Sequence, residues 1–511
     1  MVFQQHGAFN IFLPYISHKN ILSLSFCGAS ILTVLSIAIW WRKTRAKSFT
    51  HPTYHICSTP FIHHANEAAI TRLTEEITEL YDIDIHRLEL IRMAIQQEME
   101  AGLLSNSASS LKMLPSYINR LPLNDISTTA YALDIGGTNL RILKVVLEQG
   151  GIIQNIFTNK YSIPHELMVG KGEDLINFIA QCLLESIDSE DKDAPLGFTF
   201  SFPIRQTSIK KGYLIEWTKG FSASGIVNED IAGLLEEELE KLNFPIKVVA
   251  LVNDTIGTLM TGTFQAHDEN CIIGLIIGTG SNACYLEDIE LLEKWVDEVP
   301  NPPNMIINVE LGGFDSPTYT HLLPTKFDLM LDNNSVNIGC QHFEKMISGM
   351  YLGELVRLTL KNYQDLFEIF SDNSVNALDR PYQLQTQLLS QMQQDDSPEL
   401  HYVGDVLNKL GITCPSLAIR QFAKHICCVI SRRSARLAAA GVAAIVEHKK
   451  RGNIFSIVAV DGTIFEVYPG YRSIVEETIK ELGYPNVQLR LVKDGSGNGA
   501  AIAASTMIKS T

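Results

Sequence analysis

The stretch that decides the fold is Y-A-L-D-I-G-G-T-N-L-R-I-L-K, residues 131–144. An apolar run ends at Asp134, two glycines follow shortly after it, and a second apolar run begins at Leu140. Glycines permit the positive φ angles of a tight turn, and short apolar runs on both sides are typical of strands. The stretch therefore predicts two β-strands joined by a short turn.

The turn itself could bind an anion. Its backbone N–H groups, after Gly136 and Gly137, lie beside the Thr138 hydroxyl and the Asn139 amide, and together they could surround a phosphate. Asp134, at the end of the first strand, could hold Mg²⁺ through water. An ordinary hairpin with an Asp before Gly-Gly would have the same sequence, so the stretch alone leaves both interpretations open.

Strand-like runs alternate with helical ones further along the chain. This alternation predicts an α/β fold whose ligand sites lie at the carboxyl ends of the strands. An earlier helical region at residues 68–103 carries no obvious chemistry. The predicted strands are residues 152–161, 196–202, 246–251 and 272–277, and the predicted helices are residues 173–186 and 231–242.

Composition narrows the class of protein. The 511 residues suffice for about three domains of roughly 150 residues, and 46% of them are hydrophobic, as in globular proteins. A net charge of −16 argues against a nucleic-acid partner, because no basic block could neutralise a run of phosphates. The nine cysteines have no C-x-x-C spacing, which favours reduced thiols over disulfides or a zinc site.

Residues 21–41 do not resemble part of a soluble domain. They contain no charged side chain, and at ~1.5 Å per residue they could cross ~30 Å of hydrocarbon. The segment ends in Trp40 and Trp41, and more basic residues follow it than precede it, which places its C-terminal side in the cytosol. We expect a membrane anchor; a cleaved signal peptide and a buried helix are the alternatives. The basic residues are Arg42, Lys43, Arg45 and Lys47 after the segment and Lys19 before it.

Asp254 is the sharpest candidate for catalysis. It follows Asn253 at the end of a strongly apolar strand and precedes T-I-G-T, which can begin a helix. A carboxylate at that position could accept a proton from an alcohol. An Asp that only caps the helix would occupy the same position, so both roles remain open.

Two further loops combine an apolar strand with glycines and a hydroxyl. They are G-T-G-S-N at residues 278–282 and V-D-G-T at residues 460–463. The chain contains neither a Walker loop nor a complete dinucleotide-binding fingerprint. Taken with the first turn, these loops predict three similar corners, of which the one at residues 278–280 resembles a second phosphate cradle.

Residues 217–221, W-T-K-G-F, indicate a polyol ligand. Thr218 and Lys219 offer hydrogen bonds, and their aromatic neighbours offer the apolar contact that the faces of a sugar require. Glu310 and Glu344 are carboxylates in apolar or helical surroundings. A surface loop with an exposed Lys, and a solvated Glu344 on a helix face, are the alternatives.

These motifs together resemble the eukaryotic hexokinases, which share the actin-type, ribonuclease H-like ATPase fold. The resemblance covers residues 68–504 and is specific, because seven motifs occur in the family's order and spacing. The motifs lie at residues 133–141, 196–203 with 217–221, 252–258, 277–283, 343–357, 460–463 and 493–501.

The resemblance implies transfer of phosphate from Mg-ATP to the 6-hydroxyl of glucose, fructose or mannose, the first step of glycolysis. Asp254 would be the general base with Lys219 as the second catalytic residue, and Asp134 would lie near Mg²⁺. The implied sugar ligands are Ser201, Thr218, Lys219, Asn253, Asp254, Asn282, Glu310, Gln341 and Glu344. The implied ATP ligands are Asp134, Gly136, Gly137, Thr138, Asn139, Thr279, Gly280, Asp461, Gly462, Thr463, Gly495 and Ser496.

The implied architecture is a two-lobed α/β fold, preceded by one transmembrane helix, whose lobes close on the sugar. Membrane-anchored plant and fungal members suggest a cytosol-facing location on the outer mitochondrial membrane, with no nucleic acid and no obligatory protein partner. The predicted segments are a lead (1–20), the anchor (21–41), a basic and polar linker (42–65), large-lobe helices (66–122), the small lobe (123–253), the large lobe (254–492) and a helix returning to the small lobe (493–511).

Four residues depart from the family pattern. Leu311, Gly313, Ile338 and Lys493 stand where Trp, Ala, Pro and an acidic residue are usual. Three of them flank Glu310 or Gln341, so the preferred sugar stays open at this point. The alternatives are a kinase of N-acetylglucosamine, which smaller side chains near Glu310 would accommodate, and a sugar-sensing regulator with little activity.

Overall fold

The computed structural model describes residues 67–122, 126–137, 139–191, 193–244, 246–266, 270–363, 377–412 and 415–508. The predicted anchor at residues 21–41 and the predicted phosphate ligand Thr138 therefore lie outside the described residues. Within the described ranges, no helix combines the length and apolar character that crossing a membrane requires.

Two large β-sheets organise the described chain, together with a two-stranded ribbon. The strands of the five-stranded sheet are β2 (Thr128–Ile135), β3 (Asn139–Glu148), β4 (Ile152–Ser162), β5 (Leu196–Phe200) and β8 (Val248–Val252). The strands of the six-stranded sheet are β1 (Leu114–Pro115), β9 (Cys271–Ile277), β10 (Ser281–Asp288), β11 (Asn304–Asn308), β12 (Ser456–Asp461) and β13 (Val487–Leu491). The ribbon pairs β6 (Ile204–Ser208) with β7 (Lys211–Leu214).

The two sheets repeat one strand order. The order is β4-β3-β2-β5-β8 in one sheet and β11-β10-β9-β12-β13 in the other, where β1 extends the edge beyond β11. In each sheet the first three strands form an antiparallel meander, and the last two run parallel to the first. Each sheet therefore places a hairpin turn beside the carboxyl ends of its parallel strands, at residues 135–139 and 277–281.

Helices cover both sheets. They are α1 (Glu67–Tyr81), α2 (Ile85–Leu104), α3 (His165–Val169), α4 (Gly172–Ser186), α5 (Ile231–Lys241), α6 (Asp254–Ala266), α7 (Lys326–Asn333), α8 (His342–Ile347), α9 (Gly349–Asn362), α10 (Thr386–Gln394), α11 (His401–Lys409), α12 (Leu417–His448), α13 (Thr463–Val467), α14 (Tyr471–Glu481) and α15 (Gly495–Ile508). Separate apolar cores form within the five-stranded half and within the helix-rich six-stranded half. A third core contains residues of both sheets together with α6 and α15.

Helices α6 and α15 cross at near backbone contact in this third core. A Cβ atom added at Gly499 would lie 1.9 Å from the carbonyl oxygen of Gly257, and one added at Gly257 would lie 2.6 Å from the carbonyl oxygen of Ser496. The Thr261 hydroxyl donates a hydrogen bond to the Gly495 carbonyl across the same crossing, at 2.8 Å. Only glycine leaves room for the two backbones at this distance.

The α/β prediction with two lobes is confirmed for the described residues. The predicted strands and helices are present, with ends that differ by up to two residues, and the helical region at 68–103 is two helices because Asp84 caps a new one at its start. Helix α15 packs on α6 and on β2, β5 and β8. The lobe boundaries themselves stay a prediction.

Replacing Gly499 by Ala should destabilise the protein by about 3 kcal/mol, near the top of the range for overpacked cores, because the new methyl group would overlap backbone that cannot move aside. Urea denaturation of the full chain measures this. Gly452→Ala is the control, since a Cβ there comes no nearer than 3.6 Å to another atom and should change stability by about 0.5 kcal/mol or less. Equal stability of Gly499→Ala and wild type would contradict the tight crossing.

Candidate active site

All nine predicted sugar ligands line one cleft. The lining side chains are mostly polar and come from strand ends of both sheets, from the loop after the ribbon and from the start of α8. They are Ser201, Phe202, Pro203, Thr218, Lys219, Asn253, Asp254, Ile276, Gly280, Ser281, Asn282, Glu310, Gln341 and Glu344.

Asp254 is the first residue of α6 and faces the cleft. Its Oδ1 accepts a hydrogen bond from the Thr255 N–H at 2.9 Å, and its Oδ2 lies 3.5 Å from the Lys219 Nζ. Lys219 Nζ in turn donates to the Ser201 carbonyl at 2.7 Å. The neighbouring Asn253 side chain accepts from both the N–H and the hydroxyl of Thr255. Asp254 thus keeps one carboxylate oxygen directed at an ammonium group in the cleft, beyond any role at the helix start.

A chain of amide and carboxylate groups crosses the cleft wall. Asn282 Nδ2 donates to the Asn308 Oδ1 at 2.8 Å, and Asn308 Nδ2 donates to the Glu310 Oε1 at 2.7 Å. Asn282 Oδ1 accepts from the Leu311 N–H at 3.1 Å, which fixes the orientation of its amide. No role was predicted for Asn308, yet it connects two predicted sugar ligands. An Asn that ends an apolar strand two residues before Glu310 is the signal that could have identified it.

The aromatic residues of the W-T-K-G-F loop differ from the prediction. They were expected to contact the sugar, but Trp217 and Phe221 stack on each other at 5.2 Å and do not line the cleft. Phe202, which does line it, packs edge-on against Trp217, and the Lys219 ammonium lies 5.7 Å from the Phe202 ring. These aromatic rings support the loop from behind, because the apolar core of the five-stranded half attracts them more strongly than a polar cleft does.

Glu344 is buried, and its Oε2 accepts a hydrogen bond from the Ser281 N–H at 2.9 Å. Burial raises the pKa of Glu344 to about 7, with Lys219 opposing the shift and Glu310 and Asp254 adding to it. Burial also raises the pKa of Glu310, where the Lys112 ammonium and the Asn308 side chain oppose it. Position 280 in the second turn requires glycine, because a Cβ atom there would lie 2.6 Å from Glu344 Oε2.

The two hairpin turns meet at the cleft. A Cβ added at Gly137 would lie 3.2 Å from the Thr279 methyl group, so residues far apart in sequence are adjacent here. Gly136, Gly137 and Asn139 are partly buried in the first turn, whereas Thr279 is exposed at the tip of the second. The turns therefore lie where one ligand could contact both.

Asp134 is 3% exposed and pairs with Arg141, which stands directly opposite it in the β2–β3 register. Arg141 Nε donates to Asp134 Oδ2 at 3.0 Å, and Ser496 Oγ donates to the same oxygen at 2.9 Å. Arg141 also donates to Asp494 at 2.7 Å. Arg141 was quoted in the sequence motif but given no role, although a tight hairpin after Asp134 places position 141 across from it.

The predicted adenosine-side residues lie together at the ends of β12 and β13. Asp461 accepts hydrogen bonds from the N–H groups of Gly462, at 2.7 Å, and Gly495, at 2.8 Å, and thereby joins β12 to the start of α15. Burial raises the pKa of Asp461 to about 6, and Arg141 opposes this shift. Thr463 is exposed, whereas the Ser496 hydroxyl is directed toward Asp134 and Arg141.

A magnesium ion fits this donor set only as a partner of ATP. The described residues contain no group of three or more His, Cys, Asp or Glu side chains that could hold a metal. The predicted ligand Asp134 already accepts three hydrogen bonds at Oδ2, so direct coordination by that oxygen would displace Arg141 or Ser496. Mg²⁺ with most of its ligands from water and phosphate oxygens is compatible with such a site.

None of the four departures from the family pattern lines the cleft. Leu311 is 1% exposed and lies behind the loop, where a Cβ added at Gly441 would be 2.9 Å from its side chain. A Cβ at Gly313 would point to the Ser110 carbonyl, at 3.2 Å. Ile338 is 61% exposed, and Lys493 is an exposed partner of Glu466. Smaller side chains near Glu310 therefore do not widen the cleft for an acetamido group.

Two family models, both described as hexokinase, match residues 73–264 and 272–506. The chain is 40% identical to hexokinase-1 of Spinacia oleracea over 458 residues, which cover 86% of this chain and 91% of that protein. It is 41% identical to hexokinase-7 of Oryza sativa subsp. japonica over 438 residues, 82% of this chain and 93% of that protein. Among solved structures, a hexokinase from Schistosoma mansoni complexed with glucose matches with 34% identity and a TM-score of 0.79, covering 86% of this chain and 99% of that one.

Replacing Glu344 by Gln should stabilise the protein relative to wild type at pH 8 but not at pH 5. A folded-state pKa of about 7, above the ordinary 4.5, means that the protonated carboxyl favours folding below pH ~4.5 and that this contribution is lost as the pH rises through 7. The difference between the two proteins should grow by up to about 3 kcal/mol across this range.

Urea denaturation without hexose at both pH values measures the effect. Glu166→Gln, at an exposed carboxylate, is the matched control and should follow wild type at each pH. Parallel stability curves for Glu344→Gln and wild type would contradict the raised pKa.

Proposed function

The chain belongs to the hexokinase family and phosphorylates a hexose with ATP, and we propose that Asp254 and Lys219 carry the chemistry at the 6-hydroxyl of the sugar. One observation carries this proposal. The cleft gathers ten polar side chains suited to a polyol, and in it the Asp254 carboxylate lies 3.5 Å from the Lys219 ammonium. The resemblance to the eukaryotic hexokinases likewise implies that the Asp254 carboxylate is the general base.

The reaction transfers one phosphoryl group and one proton. Asp254 Oδ2 accepts the proton of the 6-hydroxyl, whose oxygen forms a bond to the γ-phosphorus while the bond from that phosphorus to the bridging oxygen of ADP breaks. The Lys219 ammonium is close enough to Asp254 to offset negative charge on the transferred group. Phosphoryl transfer requires mainly positioning and charge stabilisation, so a base, an ammonium and backbone donors suffice.

The remaining cleft residues hold the sugar. The carboxylates of Glu310 and Glu344 accept hydrogen bonds from sugar hydroxyls, and the amides of Asn253, Asn282 and Gln341 donate and accept them. Asn308 keeps Asn282 and Glu310 in place through its two hydrogen bonds. The hydroxyls of a plain hexose can form hydrogen bonds with these groups, and no cleft residue requires the acetamido group of N-acetylglucosamine as a partner.

The two glycine turns bind the phosphates of ATP, and the region from Asp461 to Thr463 with Gly495 and Ser496 binds its adenosine side. Mg²⁺, held through water near Asp134, would neutralise phosphate charge and orient the γ-phosphate. Arg141 contributes by keeping Asp134 oriented from the opposite strand.

We also propose that residues 21–41 anchor the enzyme to a membrane, with the catalytic part in the cytosol and the outer mitochondrial membrane as the location. The support is the uncharged segment followed by Arg42, Lys43, Arg45 and Lys47. All residues that line the cleft lie between positions 201 and 344, outside this segment.

Asp254→Ala should lower kcat for glucose by about 10²–10⁴-fold, the usual contribution of a general base, while glucose still binds. A coupled assay for ADP release with Mg-ATP and glucose, fructose, mannose or N-acetylglucosamine measures turnover, and calorimetry measures binding. Asp405→Ala, at an exposed helix position, is the control. Turnover of N-acetylglucosamine alone, or an active Asp254→Ala variant, would contradict the proposal.

Removal of residues 1–47 should shift the protein from the membrane fraction to the supernatant and leave kcat for glucose within about twofold of the full chain, since hydrophobic insertion rather than catalysis depends on that segment. Fractionation of cells that express either form, followed by the same assay, measures both effects. A truncated protein that is folded but inactive would contradict the separation of anchor and enzyme.

A further inference from the structure

Lys112 and Glu216 form an ion pair next to the cleft. Their side chains are 28% and 43% exposed, and neither lines the cleft. Neither residue belongs to the machinery described above. The two residues of the pair belong to different halves of the molecule, so the pair can connect the two sides of the cleft.

The Lys112 backbone is fixed to the six-stranded half. The Met113 N–H donates to the Val309 carbonyl at 3.3 Å, just beyond β11. The Lys294 ammonium donates to the Lys112 carbonyl at 2.6 Å. Lys112 therefore moves with the half of the molecule that contributes Glu310 and Glu344.

The Glu216 backbone is fixed to the other half. It follows β7, and the Ile215 N–H donates to the Pro203 carbonyl at 2.9 Å. Two residues further on, Thr218 lines the cleft. Glu216 therefore moves with the loop that carries Thr218 and Lys219, and its ion pair with Lys112 connects the two sides of the cleft.

The charges of the pair also act on residues at the cleft. Burial raises the pKa of Glu310, and Lys112 is the charge that opposes this shift most strongly. Burial raises the pKa of the Cys340 thiol as well, with Glu216 adding to the shift and Lys112 opposing it. Cys340 is exposed and precedes the cleft residue Gln341. The pair thus lies near the rim of the cleft, between solvent and the sugar ligands.

We propose that the Lys112–Glu216 ion pair is a latch that holds the two sides of the cleft together around bound hexose. Both are positioning residues: they slow sugar dissociation without touching the reacting atoms. The inference rests on the proposed function, in which this cleft binds a hexose. It assigns to two residues of this chain a task separate from that of the sugar ligands, which contact the sugar directly.

The latch makes sugar binding sensitive to salt. Glucose carries no charge, so its affinity should not depend on ionic strength through direct contacts. An exposed ion pair is screened, because the Debye length falls from about 30 Å at 0.01 M salt to about 3 Å at 1 M. Wild-type affinity for glucose should therefore weaken as salt rises, and Glu216→Gln should have lost this dependence.

A double-mutant cycle in the full chain tests the latch. Lys112→Met, Glu216→Gln and the double variant should each raise the Kd for glucose by about two- to fivefold, as expected for an exposed pair, with kcat nearly unchanged. The double variant should be no weaker than the weaker single variant, because both changes remove one interaction. Lys361→Met, which breaks the similarly exposed Lys361–Asp379 pair at 2.7 Å on one side of the cleft, should leave the Kd unchanged.

Calorimetry with glucose gives each Kd, and thermal unfolding verifies that every variant is folded. Effects that multiply in the double variant, or salt dependence that persists in Glu216→Gln, would overturn the latch. A wild-type chain that fails to bind glucose would instead overturn the proposed function, so the two failures are distinguishable.

Discussion

The structure depends on the contact between Gly257 of α6 and Gly499 of α15. Helix α6 begins at the cleft with Asp254, and α15 begins among the predicted adenosine-side residues with Gly495. The place where the two helices cross therefore fixes the distance between the sugar side and the nucleotide side. Their backbones approach closely because neither glycine has a side chain. The small residues of α15 also allow close packing, since nearly every one of them is buried between α6 and the five-stranded sheet.

The second organising feature is the common strand order of the two sheets. Each sheet directs a glycine turn and the ends of three parallel strands to the same place, so chemistry that is scattered through the sequence converges there. Gly137 and Thr279 are adjacent because the two turns converge in this way. A single sheet would supply one turn and half of the polar groups, and neither half alone would enclose a sugar.

Local sequence could predict which residues end several strands, and therefore Asp254 and the glycine turns, whereas the role of Glu310 was implied by the family resemblance. It could not predict partners that come from elsewhere in the chain, because nothing in the sequence near Asp134 indicates that Ser496 will donate a hydrogen bond to it. The pairing of Arg141 with Asp134 could have been predicted, since the hairpin register places the two residues opposite each other. The orientation of the Trp217 and Leu311 side chains could not be predicted. Both point away from the cleft into apolar cores that form only after distant strands assemble.

The charge balance of the cleft has a consequence for the end of the catalytic cycle. Among the described residues that line the cleft, Asp254, Glu310 and Glu344 face one cation, Lys219. Such a cleft accepts a neutral polyol, and Asp254 leaves the transfer step protonated. Once Asp254 gives up that proton, its carboxylate and the new phosphate monoester are two negative groups side by side. Like charges on neighbouring groups repel each other. The site is therefore built to expel the anion that it makes, and electrostatic repulsion favours product release.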